Sequence, residues 1–214
     1  AEHMVRSKRT SPHVTTVMEA DMSKVVAFRD RQKDEFQKRE GFPLTYLPFF
    51  VQAAVAALRA FPMVNTTFAE DKIVLKKRIN VGIAVATEQG LIVPVIKDAD
   101  EKSLLRLARE AYDLATRARE GKLSPDDVAG GTFTITNHGV SGSLLSTPII
   151  HQPQVGILGT GAVTKRVVVR DDAIAIRPMI YLSLSFDHRA FDGAVADRFL
   201  ARIKEHLEAG GLSL

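Results

Sequence analysis

A helix almost free of charge places the strongest constraint on how this chain can fold. Thr45–Ala60 (TYLPFFVQAAVAALRA) includes a single charged side chain, Arg59. Pro48 falls in the first turn, where a helix tolerates proline, and Pro62 stops the helix. A helix that is apolar on most sides has to be covered on most sides. The rest of the chain must therefore supply other elements that pack around it.

The rest of the sequence predicts helices and strands in mixed order. Helical periodicity predicts four more helices: Ala1–Arg9, Met22–Glu40, Ser103–Glu120 and Gly193–Glu208. Alternating or short apolar runs predict these strands: His13–Ala20, Lys72–Lys76, Ile79–Thr87, Leu91–Lys97, Gly131–Asn137, Val155–Leu158, Arg166–Arg170, Ala173–Ile176 and Met179–Phe186. A hairpin turn is predicted at 88–90. No linker or repeat interrupts residues 1–214, so we predict one α/β (α+β) domain with a mixed sheet flanked by helices.

Composition excludes several classes of protein. The 214 residues include no cysteine, which excludes disulfides, thiolate metal sites and a cysteine nucleophile. The net charge of +4 is too weak to argue for a nucleic-acid partner. The apolar runs Tyr46–Leu58 and Met179–Phe186 are too short or too polar to span a membrane. Because the start does not resemble a signal peptide, we expect a cytoplasmic or mitochondrial-matrix protein.

One candidate chemical segment is Ser183–Ala194 (SLSFDHRAFDGA), where a predicted strand ends and a helix begins. Histidine is the side chain that most often serves as a general base, and His188 could act as one. The alternative is that His188 is a loop histidine without a chemical role and that Asp192 caps the last helix. The residues alone do not decide between these two interpretations of His188. Asp187, His188 and Asp192 match no standard metal-ligand spacing, so we expect no metal.

A second candidate is Thr132–Thr147 (TFTITNHGVSGSLLST). Thr134 and Thr136 share one face of a predicted strand and could donate hydrogen bonds to an oxyanion. Taken alone, an ordinary half-buried strand explains both threonines better. His138 is a weaker candidate for the base. The glycines that follow, Gly139 among them, allow a ligand to approach the backbone or make turns.

These segments together resemble one family. Asp187–Gly193 (DHRAFDG) is similar to the D-H-R-x-x-D-G signature of dihydrolipoamide acyltransferases, the core component of 2-oxo acid dehydrogenase complexes. Further blocks that resemble the family occur in the expected order: Leu47–Asn65, Gly90–Ile96, Gly130–Gly139 and Thr147–Gly159. The resemblance covers essentially the whole chain. It implies a chloramphenicol acetyltransferase-like sandwich that forms trimers.

The resemblance also implies roles for particular residues. His188 would be the general base that deprotonates the attacking thiol. Thr136 would stabilise the tetrahedral oxyanion, and Asp192 would support the loop around the histidine. The expected substrate-binding residues are Asn137, Gly139 and Ser185. His138 and His151 depart from the family pattern, which leaves the polarity of the pocket open.

The implied reaction moves an acyl group between dihydrolipoamide and coenzyme A. It proceeds by thiol attack on a thioester and needs no protein nucleophile, so the lack of cysteine is no obstacle. Coenzyme A would be a substrate, and the lipoyl group would be carried on a separate domain. We expect this chain to be a fragment without its lipoyl and subunit-binding domains. The implied partners are two further copies in a trimer, a cubic or dodecahedral core, and the 2-oxo acid decarboxylase and dihydrolipoamide dehydrogenase components.

Other interpretations stay open at this point. The chain could be a core-forming scaffold without activity, although the presence of His188 and Thr136 argues against that. It could also be a free-standing acetyltransferase with a small hydroxyl acceptor. The acyl group is not readable, because Gly142–Ile150 is more similar to succinyl-transferring members and Ser183–Arg189 to acetyl or branched-chain ones. We further expect His188 and Thr136 of one site to come from different subunits.

Overall fold

The computed structural model describes residues 2–69 and 72–214. In these ranges there are five α-helices: α1 (Glu2–Thr10), α2 (Ser23–Glu40), α3 (Leu47–Ala60), α4 (Leu104–Arg119) and α5 (Gly193–Ala209). The same ranges contain eleven strands: β1 (His13–Asp21), β2 (Thr66–Ala69), β3 (Lys72–Leu75), β4 (Val81–Ile83), β5 (Val85–Thr87), β6 (Gly90–Ile92), β7 (Val95–Ile96), β8 (Phe133–Asn137), β9 (Gly156–Thr160), β10 (Thr164–Arg170) and β11 (Ala173–Asp187).

All five predicted helices are present, with ends shifted by one or two residues. Ala1, the first residue of the first predicted helix, lies outside the described residues. A side chain caps the N-terminus of each of the last two helices, and the cap at Asp192 agrees with the sequence analysis. The hydroxyl of Ser103 accepts the N–H of Arg106 at the start of α4, and the carboxylate of Asp192 accepts the N–H of Val195 at 3.0 Å at the start of α5.

The strand predictions needed four corrections. Strand β2 was not predicted. The predicted strand Ile79–Thr87 is interrupted, because the chain leaves the main sheet after β4 so that β5 can pair with β6. Leu91–Lys97 is likewise interrupted, since Pro94 has no N–H to donate to a ladder. Conversely, Ala173–Ile176 and Met179–Phe186 form one strand, β11, through Pro178. Pro178 is tolerated because its carbonyl accepts the N–H of Met22, which lies beyond the end of β1. No partner strand therefore requires an N–H from residue 178 on that side.

The main sheet is mixed, as predicted. Its strand order is β1-β11-β9-β8-β4-β7, and β10 also pairs with β11. Strand β8 is parallel to both β4 and β9, whereas β11 is antiparallel to β1, β9 and β10. The β5–β6 hairpin turns as predicted at residues 88–89, with Gly90 at φ 128°.

The core lies on the face of the sheet that carries the helices. Nine residues of α3 are buried, which confirms the expectation that this helix is covered on most sides. Phe133 of β8 packs edge-on against Phe199 of α5, with ring centroids 5.6 Å apart. Side chains alternate along a strand, so Phe133 and Ile135 face the helices while Thr134 and Thr136 face the other way. No helix in the described ranges is long and apolar enough to cross a membrane.

The opposite face is covered near β9 by α1 and the segment 138–155. The hydroxyl of Ser7 in α1 donates to the carbonyl of Ile150 at 2.6 Å. Pro148 lies over Gly159 of β9, where an added Cβ would be 3.4 Å from its Cγ. The Thr136 side chain lies on this second face, which is covered there by an irregular segment and not by a layer of helices.

Candidate active site

His188 lies in the tight turn that joins β11 to α5. Its side chain is exposed, and its ring centroid is 5.7 Å from that of Phe186. The backbone N–H of His188 donates to the carbonyl of Pro12 at 3.1 Å. The imidazole is therefore free to meet a substrate while its backbone is held.

An ion pair between the buried Asp187 and the more exposed Arg189 flanks His188. Asp187 is 1% exposed, and its carboxylate accepts hydrogen bonds from Nε and Nη2 of Arg189 at 3.0 and 2.6 Å. Burial acts to raise the pKa of Asp187, but the hydrogen bonds from Arg189 and Ser11 outweigh it, so the pKa lies below its usual value. Asp187 is an ionised structural group.

The two threonines of β8 have different surroundings. The hydroxyl of Thr134 donates to Oε1 of Gln154 at 2.7 Å, and both residues are buried. Thr136 is half-buried, and its hydroxyl makes no hydrogen bond within the part of the chain described. Thr136 therefore has a donor to spare, and Thr134 does not.

The three residues expected to bind substrate have different surroundings. Asn137 lines a groove of about 570 Å³ whose other walls are mostly apolar, and its Oδ1 accepts the N–H of Gly139 at 2.9 Å. Gly139 has a packing reason to be glycine, because an added Cβ would be 2.2 Å from the carbonyl oxygen of Gly161. Ser185 is buried, and its hydroxyl is hydrogen-bonded to that of Thr15 at 2.8 Å.

The two unusual histidines are both desolvated. Burial lowers the pKa of His138, whose Nδ1 is 2.8 Å from the hydroxyl of Ser146 and whose buried Nε2 has no partner in the described structure. Burial and the nearby His3 lower the pKa of His151. Both are therefore neutral histidines near pH 7.

The sequence did not reveal a cavity beside the His188 turn. It has a volume of about 580 Å³ between α1 and the segment 150–153. Its lining includes His3, Arg6, His151 and Arg189, and no carboxylate. The basic residues of the first helix are visible in the sequence, but nothing local places them next to residue 189. In the described ranges the structure brings no group of three or more possible metal ligands together.

Thr136 and His188 of one chain lie too far apart to act on the same thiol and carbonyl atoms. Thr136 of β8 pairs with Gly159 of β9, and Gly159 pairs with Ser183 of β11. Thr136 and Ser183 therefore lie at the same level, two strands apart. His188 follows Ser183 by five positions, about 16.5 Å along the strand, and two strand spacings add about 9.6 Å across. The two backbones are therefore about 19 Å apart. A site that uses both residues needs two copies of the chain.

The arrangement of elements defines the class of fold. A chloramphenicol acetyltransferase structure matches with a TM-score of 0.57 and 16% identity, and the match covers 96% of this chain and 94% of that one. The chain thus has the chloramphenicol acetyltransferase-like fold that the resemblance implied.

The family follows from the match of residues 1–213 to the model for 2-oxoacid dehydrogenases acyltransferase (catalytic domain). The chain belongs to this family. It is 50% identical over 210 residues to the lipoamide acyltransferase component of the branched-chain alpha-keto acid dehydrogenase complex of Bacillus subtilis, covering 98% of this chain and 50% of the relative. It is 49% identical over 209 residues to the dihydrolipoyllysine-residue succinyltransferase component of the 2-oxoglutarate dehydrogenase complex of Rickettsia bellii, covering 98% and 52%. The chain spans about half the length of these curated relatives.

Solved structures of similar proteins agree with this assignment. A probable dihydrolipoamide acetyltransferase from Listeria monocytogenes matches with a TM-score of 0.95 and 47% identity, covering 97% of this chain and 89% of that one. The dihydrolipoamide acetyltransferase of Azotobacter vinelandii, solved in a study of a serine, a histidine and an asparagine in its catalytic mechanism, matches with a TM-score of 0.93 and 39% identity, covering 97% and 86%. The cubic core of a pyruvate dehydrogenase multienzyme complex matches with a TM-score of 0.93 and 40% identity, with the same coverage.

Proposed function

We propose that this chain transfers an acyl group between dihydrolipoamide and coenzyme A. His188 takes the proton from the attacking thiol, and the sulfur adds to the thioester carbonyl. The resulting oxyanion accepts a hydrogen bond from the Thr136 hydroxyl. When the intermediate collapses, the C–S bond to the departing thiol breaks, and His188 returns the proton to that sulfur.

The observation that carries this proposal is that the chain presents one exposed imidazole and one hydroxyl without a hydrogen bond in the described structure. His188 is exposed on a turn with a fixed backbone, and the Thr136 hydroxyl is free within the described structure. The sequence spacing of the site residues also supports the proposal. The serine, histidine and asparagine studied in the Azotobacter vinelandii enzyme stand 52 and four positions apart. Thr136, His188 and Asp192 have the same spacing. Asp192 contributes by capping α5, which fixes the far end of the His188 turn.

The distance between Thr136 and His188 supports a site formed by two subunits. Because about 19 Å separates them in one chain, each would face its counterpart across an interface between copies. A cyclic trimer would form three such sites. The projecting β10–β11 hairpin carries exposed aliphatic side chains, Ile174 at 80% among them, and a patch of this kind is suited to contact with another subunit. A cubic core, as in the pyruvate dehydrogenase relative, would be the larger assembly.

The decisive assay uses free dihydrolipoamide and acyl-coenzyme A, so that no carrier domain is needed. We expect thiol-dependent transfer and a fall in kcat of at least about 10²-fold in His188→Ala, with little change in KM. A scaffold without activity would transfer nothing. A free-standing acetyltransferase would prefer a small hydroxyl acceptor to the thiol.

The acyl group is decided by the same assay with acetyl-, succinyl- and isobutyryl-coenzyme A. Relatives named for succinyl and for branched-chain complexes are 49% and 50% identical, so overall identity does not separate them. In a complex, the lipoyl group would arrive on a separate domain. The decarboxylase component would load the acyl group onto it, and the dihydrolipoamide dehydrogenase component would reoxidise the dithiol left after transfer.

A further inference from the structure

The turn that carries His188 is pinned at successive backbone N–H groups. The N–H of His188 donates to the carbonyl of Pro12 at 3.1 Å. The N–H of Arg189 donates to Oδ1 of Asp187 at 3.0 Å, and the N–H of Ala190 donates to the Asp187 carbonyl at 3.0 Å. The imidazole itself is exposed. The backbone of the turn therefore fixes the point and the Cα–Cβ direction from which the imidazole extends.

The Asp187 carboxylate connects this turn to the start of the chain. Oδ2 accepts the hydroxyl of Ser11 at 2.6 Å as well as Nη2 of Arg189 at 2.6 Å. Ser11 is in turn held by Nε2 of Gln152, 2.6 Å from its hydroxyl oxygen. Ser11 and Asp187 are 176 positions apart in sequence, so the contact ties two distant segments together beneath the histidine.

We infer that Asp187 is a positioning residue for His188, acting through Arg189 and Ser11 to fix the turn from which the imidazole reaches the thiol. This inference rests on the proposed function. Asp187 does not act as a base, because it is 1% exposed and both its oxygens are occupied. A misplacement of about 1 Å at a reacting group can cost on the order of 10² in rate. Loosening the turn should therefore reduce the chemical step more than binding.

A matched pair elsewhere in the chain separates positioning from general stability. Asp127 accepts Nη1 and Nη2 of Arg117 at 2.6 and 3.1 Å, and the hydroxyl and N–H of Ser124 at 2.8 and 2.7 Å. This cluster has the same three kinds of donor as Asp187: an arginine fork, a serine hydroxyl and a backbone N–H. It lies after α4, in the segment that leads to β8.

The experiment compares Asp187→Asn with Asp127→Asn in the thiol-transfer assay, together with thermal melting. Asparagine keeps the shape but turns one acceptor oxygen into a donor that faces guanidinium. Both variants should melt earlier. Only Asp187→Asn should lower kcat, by about tenfold or more, with KM for both substrates unchanged. Ser11→Ala should give a smaller fall in kcat, also with KM unchanged. This variant tests the inference if Asp187→Asn does not fold.

The possible outcomes distinguish a failure of the positioning role from a failure of the proposed function. A kcat loss in proportion to the lost thermal stability in both aspartate variants overturns the inference, as does an unchanged kcat in Asp187→Asn and Ser11→Ala. If wild-type protein transfers no acyl group to a thiol, the proposed function itself fails. Normal wild-type transfer, loss in His188→Ala and retention in Asp187→Asn would reject only the positioning role.

Discussion

Replacing Thr136 with valine should remove catalysis while leaving the fold intact. Valine has nearly the shape of threonine and favours strands, and the Thr136 hydroxyl makes no hydrogen bond within the described residues. The thermal midpoint should therefore stay close to that of wild type. The oxyanion would lose one donor, which costs about 2.7–4 kcal/mol, or on the order of 10²–10³ in kcat. Thr136→Ser should keep most of the activity, because it keeps the donor.

The neighbouring threonine gives the control with the opposite pattern. Thr134→Val leaves Oε1 of the buried Gln154 without its 2.7 Å hydrogen bond, at a cost of about 1–3 kcal/mol. That variant should melt several degrees earlier and keep its kcat. Steady-state rates with dihydrolipoamide and acyl-coenzyme A, measured beside thermal melts, test both. A Thr136→Val enzyme with wild-type kcat, or Thr136 variants to Ser and Val that behave alike, would refute the oxyanion role.

Two further predictions concern stability. Hydrogen bonds from Arg109 and Arg39 lower the pKa of Glu40 from 4.5 to about 2, so its contribution is present above pH 4.5 and lost as the pH falls to about 2. Thermal melts should show a gap between wild type and Glu40→Gln at pH 6 that closes near pH 2, and a gap independent of pH would contradict this. Gly139→Ala should destabilise by about 1–3 kcal/mol or more, because its Cβ would be 2.2 Å from a backbone oxygen of Gly161; an unchanged denaturation midpoint would show that the contact relaxes freely.

The sequence predicted the features that depend on local pattern. Periodicity predicted the five helices, and residue type indicated the cap at Asp192. The different surroundings of Thr134 and Thr136 could not be predicted, because only the contact with Gln154 distinguishes them. Nor could local pattern reveal that Ser11 touches Asp187, since 176 positions separate them.

The separation of the two principal site residues also required the structure. Strand register puts Thr136 level with Ser183, so that His188 lies five positions further on, just past the end of β11. The family resemblance motivated the expectation that the two come from different subunits. The register now supplies an independent geometric argument for it.

Subunit mixing tests most directly whether one active site is built from two chains. Inactive His188→Ala and Thr136→Ala chains are unfolded together in equal amounts, refolded and assayed for thiol acyl transfer. If the residues come from different chains, about one interface in four pairs an intact histidine with an intact threonine, and activity should return to about a quarter of wild type. If both residues served one site within one chain, the mixture would show only the average of the two residual activities, and the account would be contradicted.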